Sequence, residues 1–147
     1  MNNDILAPVV ALAGWSLVMW AWMYATRLPA MVKARIKLDP TVAPGALTST
    51  LPPRVRWKAD NYNHLMEQPT LFYATLTILA FMGAGATDVL LAWAYVAIRI
   101  VHSIWQATVN VVSVRFTLFV ISTGCLLALA IRAAMATLLA DPSVVVS

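Results

Sequence analysis

"VLLAWAYVAIRIVHSIWQATVN", Val89 to Asn110, decides the fold. Its first ten residues are apolar, and then Arg99, His102, Gln106 and Asn110 interrupt the run. On a helix at about 100° per residue those four fall within a sector of roughly 80°. Ile100, Val101, Ile104, Trp105 and Val109 take the other faces. An isolated charge in a bilayer costs roughly 2.5–3.5 kcal/mol, so a polar stripe on such a helix must face a partner or a wet cavity. The segment therefore reads as a membrane crossing rather than a loop. If it were a loop, the apolar segments on either side would need a long greasy connection outside the bilayer.

The neighbouring sequence agrees. The chain has 147 residues, 61% hydrophobic and only 11% charged. A soluble domain carries about 25% charged residues, so a soluble class is excluded. Ile5 to Thr26 is an uncharged stretch of 22 residues, and about 20 suffice to cross the hydrocarbon core. "MNND" lacks the basic start of a secretory signal, so this segment reads as a retained crossing. Gln68 to Thr87 is long enough to be another. "GAGATD", Gly83 to Asp88, makes a short turn, and Phe116 to Ala140 completes the set before the terminator "DPS". The expectation is an all-α membrane protein, a four-transmembrane-helix bundle in a single domain over 1–147. Its helices run roughly over 5–34, 56–83, 88–111 and 115–140.

"LDPTVAPGALTSTLPP", Leu38 to Pro53, has too many prolines for a continuous helix. Seven of the ten positive charges flank or lie in this one connection: Arg27, Lys33, Arg35, Lys37, Arg54, Arg56 and Lys58. That bias is the positive-inside pattern, so loop 38–53 is expected on the cytoplasmic side and both termini on the other. The net charge of +4 is thereby explained by anionic membrane lipids, with no need of nucleic acid. Trp15, Trp20 and Trp22 read most simply as lipid-facing or interface residues. Cys125 stands alone, so no intramolecular disulfide forms.

A second stripe accompanies the first. In "RVRWKADNYNHLMEQP", Arg54 to Pro69, Arg56, Asp60, Asn63, His64 and Glu67 share one helical face. Arg115 opens the last helix at the same membrane level. These groups have two readings. Glu67 and Arg99 can form interhelical ion pairs that hold the bundle together. Alternatively, the stripes line a polar pocket for an anionic ligand, with Arg99 and Arg115 as the strongest candidates because a guanidinium donates in pairs. His64 and His102 lack the company a metal site requires, so no metal is expected.

"ADNYNHLMEQPTLFY", Ala59 to Tyr73, and "RIVHSIWQATVNVVSVR", Arg99 to Arg115, together resemble the MAPEG family, the membrane-associated proteins of eicosanoid and glutathione metabolism, in its bacterial form. The resemblance implies a homotrimer of four-helix subunits in the bacterial inner membrane, with glutathione bound between subunits and a lipophilic small molecule entering from the bilayer. Carried over by position, Arg115 is the arginine that stabilises the glutathione thiolate. Asn63, His64, Glu67, Arg99, His102 and Gln106 would hold the peptide. The implied activity is a glutathione-dependent transferase or peroxidase acting on lipophilic electrophiles. The alternative is a non-catalytic lipid-binding or scaffold protein, as in the family's five-lipoxygenase-activating protein. Several positions depart from the catalytic members. His64 stands where asparagine is usual and Asn63 where arginine is usual. Phe116 replaces the prostaglandin synthase branch's serine, and Phe119 and Gln106 replace tyrosines.

Overall fold

The computed structural model describes residues 3–139, and among them there is no strand. A 3-10 turn at Asn3–Ile5 leads into α1, Leu6–Lys33. A short helix, α2, Pro44–Thr48, lies within the proline-rich connection. Then follow α3, Pro53–Leu65, α4, Pro69–Met82, α5, Ala86–Thr108, and α6, Val112–Thr137. The terminator at Asp141 to Ser143 lies outside the described residues.

Three helices, α1, α5 and α6, are long and apolar enough to cross a membrane. At 1.5 Å per residue they measure roughly 35 to 42 Å against a hydrocarbon core of about 30 Å. Each buries one stripe. On α1 it is Pro8, Leu12, Ser16, Met19 and Met23, spaced three and four apart. On α6 it is Ser122, Leu126, Leu129 and Ala133. Their other faces expose large apolar side chains: Val10, Leu17 and Trp20 on α1, Leu90, Trp93 and Val101 on α5, Leu127 and Ile131 on α6. So much exposed apolar surface is stable only against lipid or another apolar chain.

The region expected as one helix over 56–83 is two helices. Pro69 has no N–H to give the Leu65 carbonyl, and its ring crowds that position. The regular helix therefore stops at Leu65. Residues 66–68 pass through tighter turns, with Glu67 N–H donating to the His64 carbonyl at 3.4 Å and Thr70 N–H to the Glu67 carbonyl at 3.2 Å. α4 restarts with Pro69 at its first position, where the missing N–H costs nothing. At 14 residues it is only about 21 Å long.

α1 packs against α3 and α4, α5 against α1, α3 and α6, and α4 against α6. The core joins Leu12 and Met19 to Leu65, Phe72, Leu76, Tyr95, Val96 and Leu129. Gly83, at φ 89°, ends α4 in the left-handed region that a side chain would strain. Asp88 caps the start of α5 by accepting the Gly85 N–H at 2.8 Å, and Arg132 of α6 pairs with the same carboxylate. This ion pair joins the α4–α5 turn to α6.

Two tryptophans expected toward lipid are turned inward. Trp15 Nε1 donates to Ser103 Oγ at 2.9 Å, and the buried Asn61 Nδ2 donates to the same oxygen at 2.7 Å. One hydroxyl thus ties α1, α3 and α5 together. Lys58 Nζ lies 5.0 Å from the centre of the Trp22 ring, close enough for a cation–π contact. Trp20 does face outward, 47% exposed.

Candidate functional site

The stripe on α5 is buried. Arg99 is 0% exposed, His102 and Gln106 are 2% exposed, and Ser103 between them is fully covered. These residues recur at helical spacing with Tyr95 and Ala92, so one face of α5 changes from apolar to polar as it approaches α3. Asn110, expected to continue the stripe, lies outside the helix. Its φ of 59° places it in the left-handed region, and its N–H reaches back to the Trp105 carbonyl at 2.8 Å. Asparagine is the non-glycine residue best suited to that position. Its side chain is thereby carried round to α6, where Oδ1 accepts from Arg115 Nη1 at 2.6 Å.

On α3 the buried face is Lys58, Asn61 and Leu65, not the stripe of Arg56, Asp60, Asn63 and Glu67, which is exposed. His64 sits at the boundary, half-buried. The Glu67–Arg99 ion pair considered above does not form: among the described residues the one ion pair is Arg132–Asp88. Arg99 turns instead to His64. Its Nη2 lies 3.0 Å from His64 Nδ1 and donates to the His64 carbonyl at 3.3 Å. Its Nε and Nη1 are buried without a protein partner.

Around this contact the side chains form a compact group. The His64 and His102 rings are stacked with centres 5.2 Å apart. Phe119 of α6 meets the His64 ring edge-on at 5.4 Å and lies 5.7 Å from the Arg99 guanidinium. His64, His102, Val112, Arg115, Phe116 and Phe119 line an open cleft of about 170 Å³ between α3, α5 and α6. Three of the residues singled out in the sequence, His64, His102 and Arg115, thus share one cleft, and Arg99 stands behind it. Gln106 is buried inside the bundle away from the cleft lining, with its Oε1 lacking a protein partner. Asn63 lines a different hollow of about 350 Å³ with Arg27, Arg56, Asp60 and the α2 segment. Glu67 projects from the surface.

The cleft holds one permanent cation, two imidazoles and aromatic walls. That set suits a small anionic or polarisable head with an apolar group beside it. Asn61, Ser103 and the Asn110 clamp were not among the predicted site residues. Ser103 had a sequence signal, since it lies four residues after Arg99 on the same face.

Helices this long and apolar, with a polar cleft where α5 and α6 meet the shorter α3, define an integral membrane helical bundle. The model of the MAPEG family matches residues 5–135, and the chain belongs to that family. No curated protein matches the chain. Membership associates it with glutathione and eicosanoid chemistry in membranes.

Proposed function

We propose that the protein is a glutathione-dependent transferase or peroxidase acting on lipophilic electrophiles, assembled as a homotrimer, with loop 38–53 on the cytoplasmic side of a bacterial inner membrane. The observation that carries this reading is Arg115, clamped by Asn110 at 2.6 Å over a cleft shared with His64 and His102. A fixed guanidinium beside a thiol favours the thiolate, the reactive form. The donors suit glutathione's sulfur or a carboxylate, and the buried Arg115 Nε has no protein partner. A ligand site for a molecule of this kind occupies roughly 300–1,000 Å³, more than the 170 Å³ of the cleft. On this reading the remaining contacts come from a neighbouring subunit of the trimer, and the exposed Asn63 and Glu67 join them in holding the peptide.

Isothermal calorimetry with glutathione, beside conjugation to a chlorinated nitroaromatic in detergent, tests this. Millimolar or tighter binding with turnover is expected. No binding at millimolar glutathione would refute it, and binding without turnover would favour the non-catalytic, lipid-binding alternative. Light scattering of the detergent complex, corrected for bound detergent, reads the trimer directly.

A further inference from the structure

An arginine guanidinium donates from every nitrogen and accepts at none. The 3.0 Å contact between Arg99 Nη2 and His64 Nδ1 therefore has one possible polarity: Nδ1 supplies the lone pair. A neutral His64 then carries its hydrogen on Nε2. The contact is well anchored, because Arg99 is fully buried and the same Nη2 also holds the His64 carbonyl. The charged groups around the two imidazoles are Arg99 from α5, Arg115 from α6 and Glu67 from the turn after α3.

The cleft's two histidines are thereby made unequal. His64 has its one acceptor position occupied and offers only an N–H. His102, stacked 5.2 Å away, has no hydrogen bond among the described residues and keeps a nitrogen lone pair free. The other lining groups are a permanent cation, Arg115, and the apolar Val112, Phe116 and Phe119. None of these accepts a proton.

We propose that Arg99 is a positioning residue that locks His64 as a fixed donor to the bound sulfur, leaving His102 as the cleft's proton acceptor. This rests on the glutathione reading above. In the step so assigned, His102 takes the proton as the S–H bond breaks. The electron pair stays on sulfur, facing His64 N–H and Arg115, and then forms the carbon–sulfur bond as the electrophile's leaving group (chloride, for the nitroaromatic) departs with the electrons of the bond that breaks. Arg99 touches no ligand, and acts through His64.

The lock is tested without any ligand. The protein labelled with ¹⁵N-histidine, in detergent, should show His64 with Nδ1 bare and Nε2 protonated at neutral pH. A protonated Nδ1, in either the neutral ring or the imidazolium, would overturn it. The donor is tested with glutathione affinity. His64→Gln places an amide N–H near the Nε2 position and should hold the Kd within about threefold, whereas His64→Phe should weaken it tenfold or more. Equal affinity for both variants would overturn the donor role. The acceptor is tested by the ultraviolet absorbance of bound thiolate against pH. In His102→Phe the midpoint should shift to higher pH with glutathione still bound, and an unchanged midpoint would overturn the assignment. If glutathione fails to bind the unaltered protein, the proposed function and the His102 role fall together, while the nitrogen spectrum still decides the Arg99–His64 lock.

Discussion

Asn110 has two separable tasks, and the prediction that follows distinguishes them. Its backbone occupies the left-handed region at φ 59° and closes α5 through the Trp105 carbonyl. Its side chain holds Arg115 at 2.6 Å. Glycine adopts the same backbone without a steric penalty, so Asn110→Gly removes the clamp and spares the turn. A hydrogen bond to a charged group is worth about 1.5–3 kcal/mol net. Arg115 is half-exposed, so solvent competes and the low end applies, about 1.5 kcal/mol. If the bond serves to hold the guanidinium in its working orientation, that is roughly a tenfold loss of rate. Asn110→Ala loses the same bond and adds about 1–2 kcal/mol of left-handed strain. Asn110→Asp keeps an oxygen acceptor and tolerates the backbone. The assay is kcat/KM for glutathione conjugation together with Tm in the same detergent. Expected are a tenfold loss for Gly with Tm lowered by a few degrees for the lost bond, the same loss with a further fall of several degrees for Ala, and activity within threefold for Asp. Full activity in Asn110→Gly would show that Arg115 is oriented by something else.

Other changes separate catalysis from architecture. Arg115→Ala should abolish turnover while the protein remains folded by circular dichroism; unchanged activity would refute the thiolate assignment. Ser103→Ala breaks two hydrogen bonds, a part-buried one from Trp15 and a buried one from Asn61, and should cost about 2 kcal/mol at roughly 1 kcal/mol each. Trp15→Phe should cost about 1 kcal/mol by the same rule. The double variant should match Ser103→Ala alone, a coupling of about 1 kcal/mol readable by detergent unfolding. Asp88→Asn keeps an acceptor for the Gly85 N–H but loses the charge facing Arg132, so its Tm should fall less than that of Asp88→Ala. In the loop, hydrogen bonds from the Thr41 hydroxyl and N–H hold the Asp39 carboxyl below its usual range. A lowered carboxyl favours the ordered turn above the usual value and releases it as pH falls through the lowered one. Thr41→Ala should raise the Asp39 midpoint in an NMR titration, and no rise would refute the hydroxyl's part.

The long apolar helices were legible because lipid demands length and composition, and α1, α5 and α6 supply both. The polar face of α5 was legible as a stripe because its apolar residues occupy every other direction. On α3 the same wheel located the stripe but not its destination. Periodicity separates a polar face from an apolar one without saying which is inside, and here Lys58, Asn61 and Leu65 turn inward while Asp60, Asn63 and Glu67 turn out. Pro69 was visible but stands at the border between the polar stripe ending at Glu67 and the apolar segment from Leu71, and reading the two as one helix hid the break it causes. Asn110 was placed on a wheel that had already ended, because a left-handed turn leaves no mark in hydrophobic spacing. His64 and Arg115 were found as chemistry-bearing residues. Their meeting with Phe119 depends on helix packing, which no single segment encodes.

The buried arginine also shows why a catalytic and a structural reading of this stripe need not compete. Arg99 is fully covered, so it cannot be the residue a ligand meets, and a guanidinium held there solely for packing would be a costly substitute for an apolar side chain. That cost is worth bearing only if the charge does something a leucine cannot. Its contact with His64 supplies that reason: a donor with no acceptor capacity imposes one protonation pattern on the ring that faces the cleft. Gln106, one and two turns farther along the same face, lacks such a neighbour, and its unpartnered Oε1 leaves it a packing role or a bound water. The stripe thus divides by depth. Its cleft-lining member, His102, meets the ligand, Arg99 behind it sets the neighbouring imidazole, and the turn beyond the helix, at Asn110, aims Arg115. A substitution at any of the three should change chemistry more than fold, whereas Ser103, within the same stripe, should change fold more than chemistry.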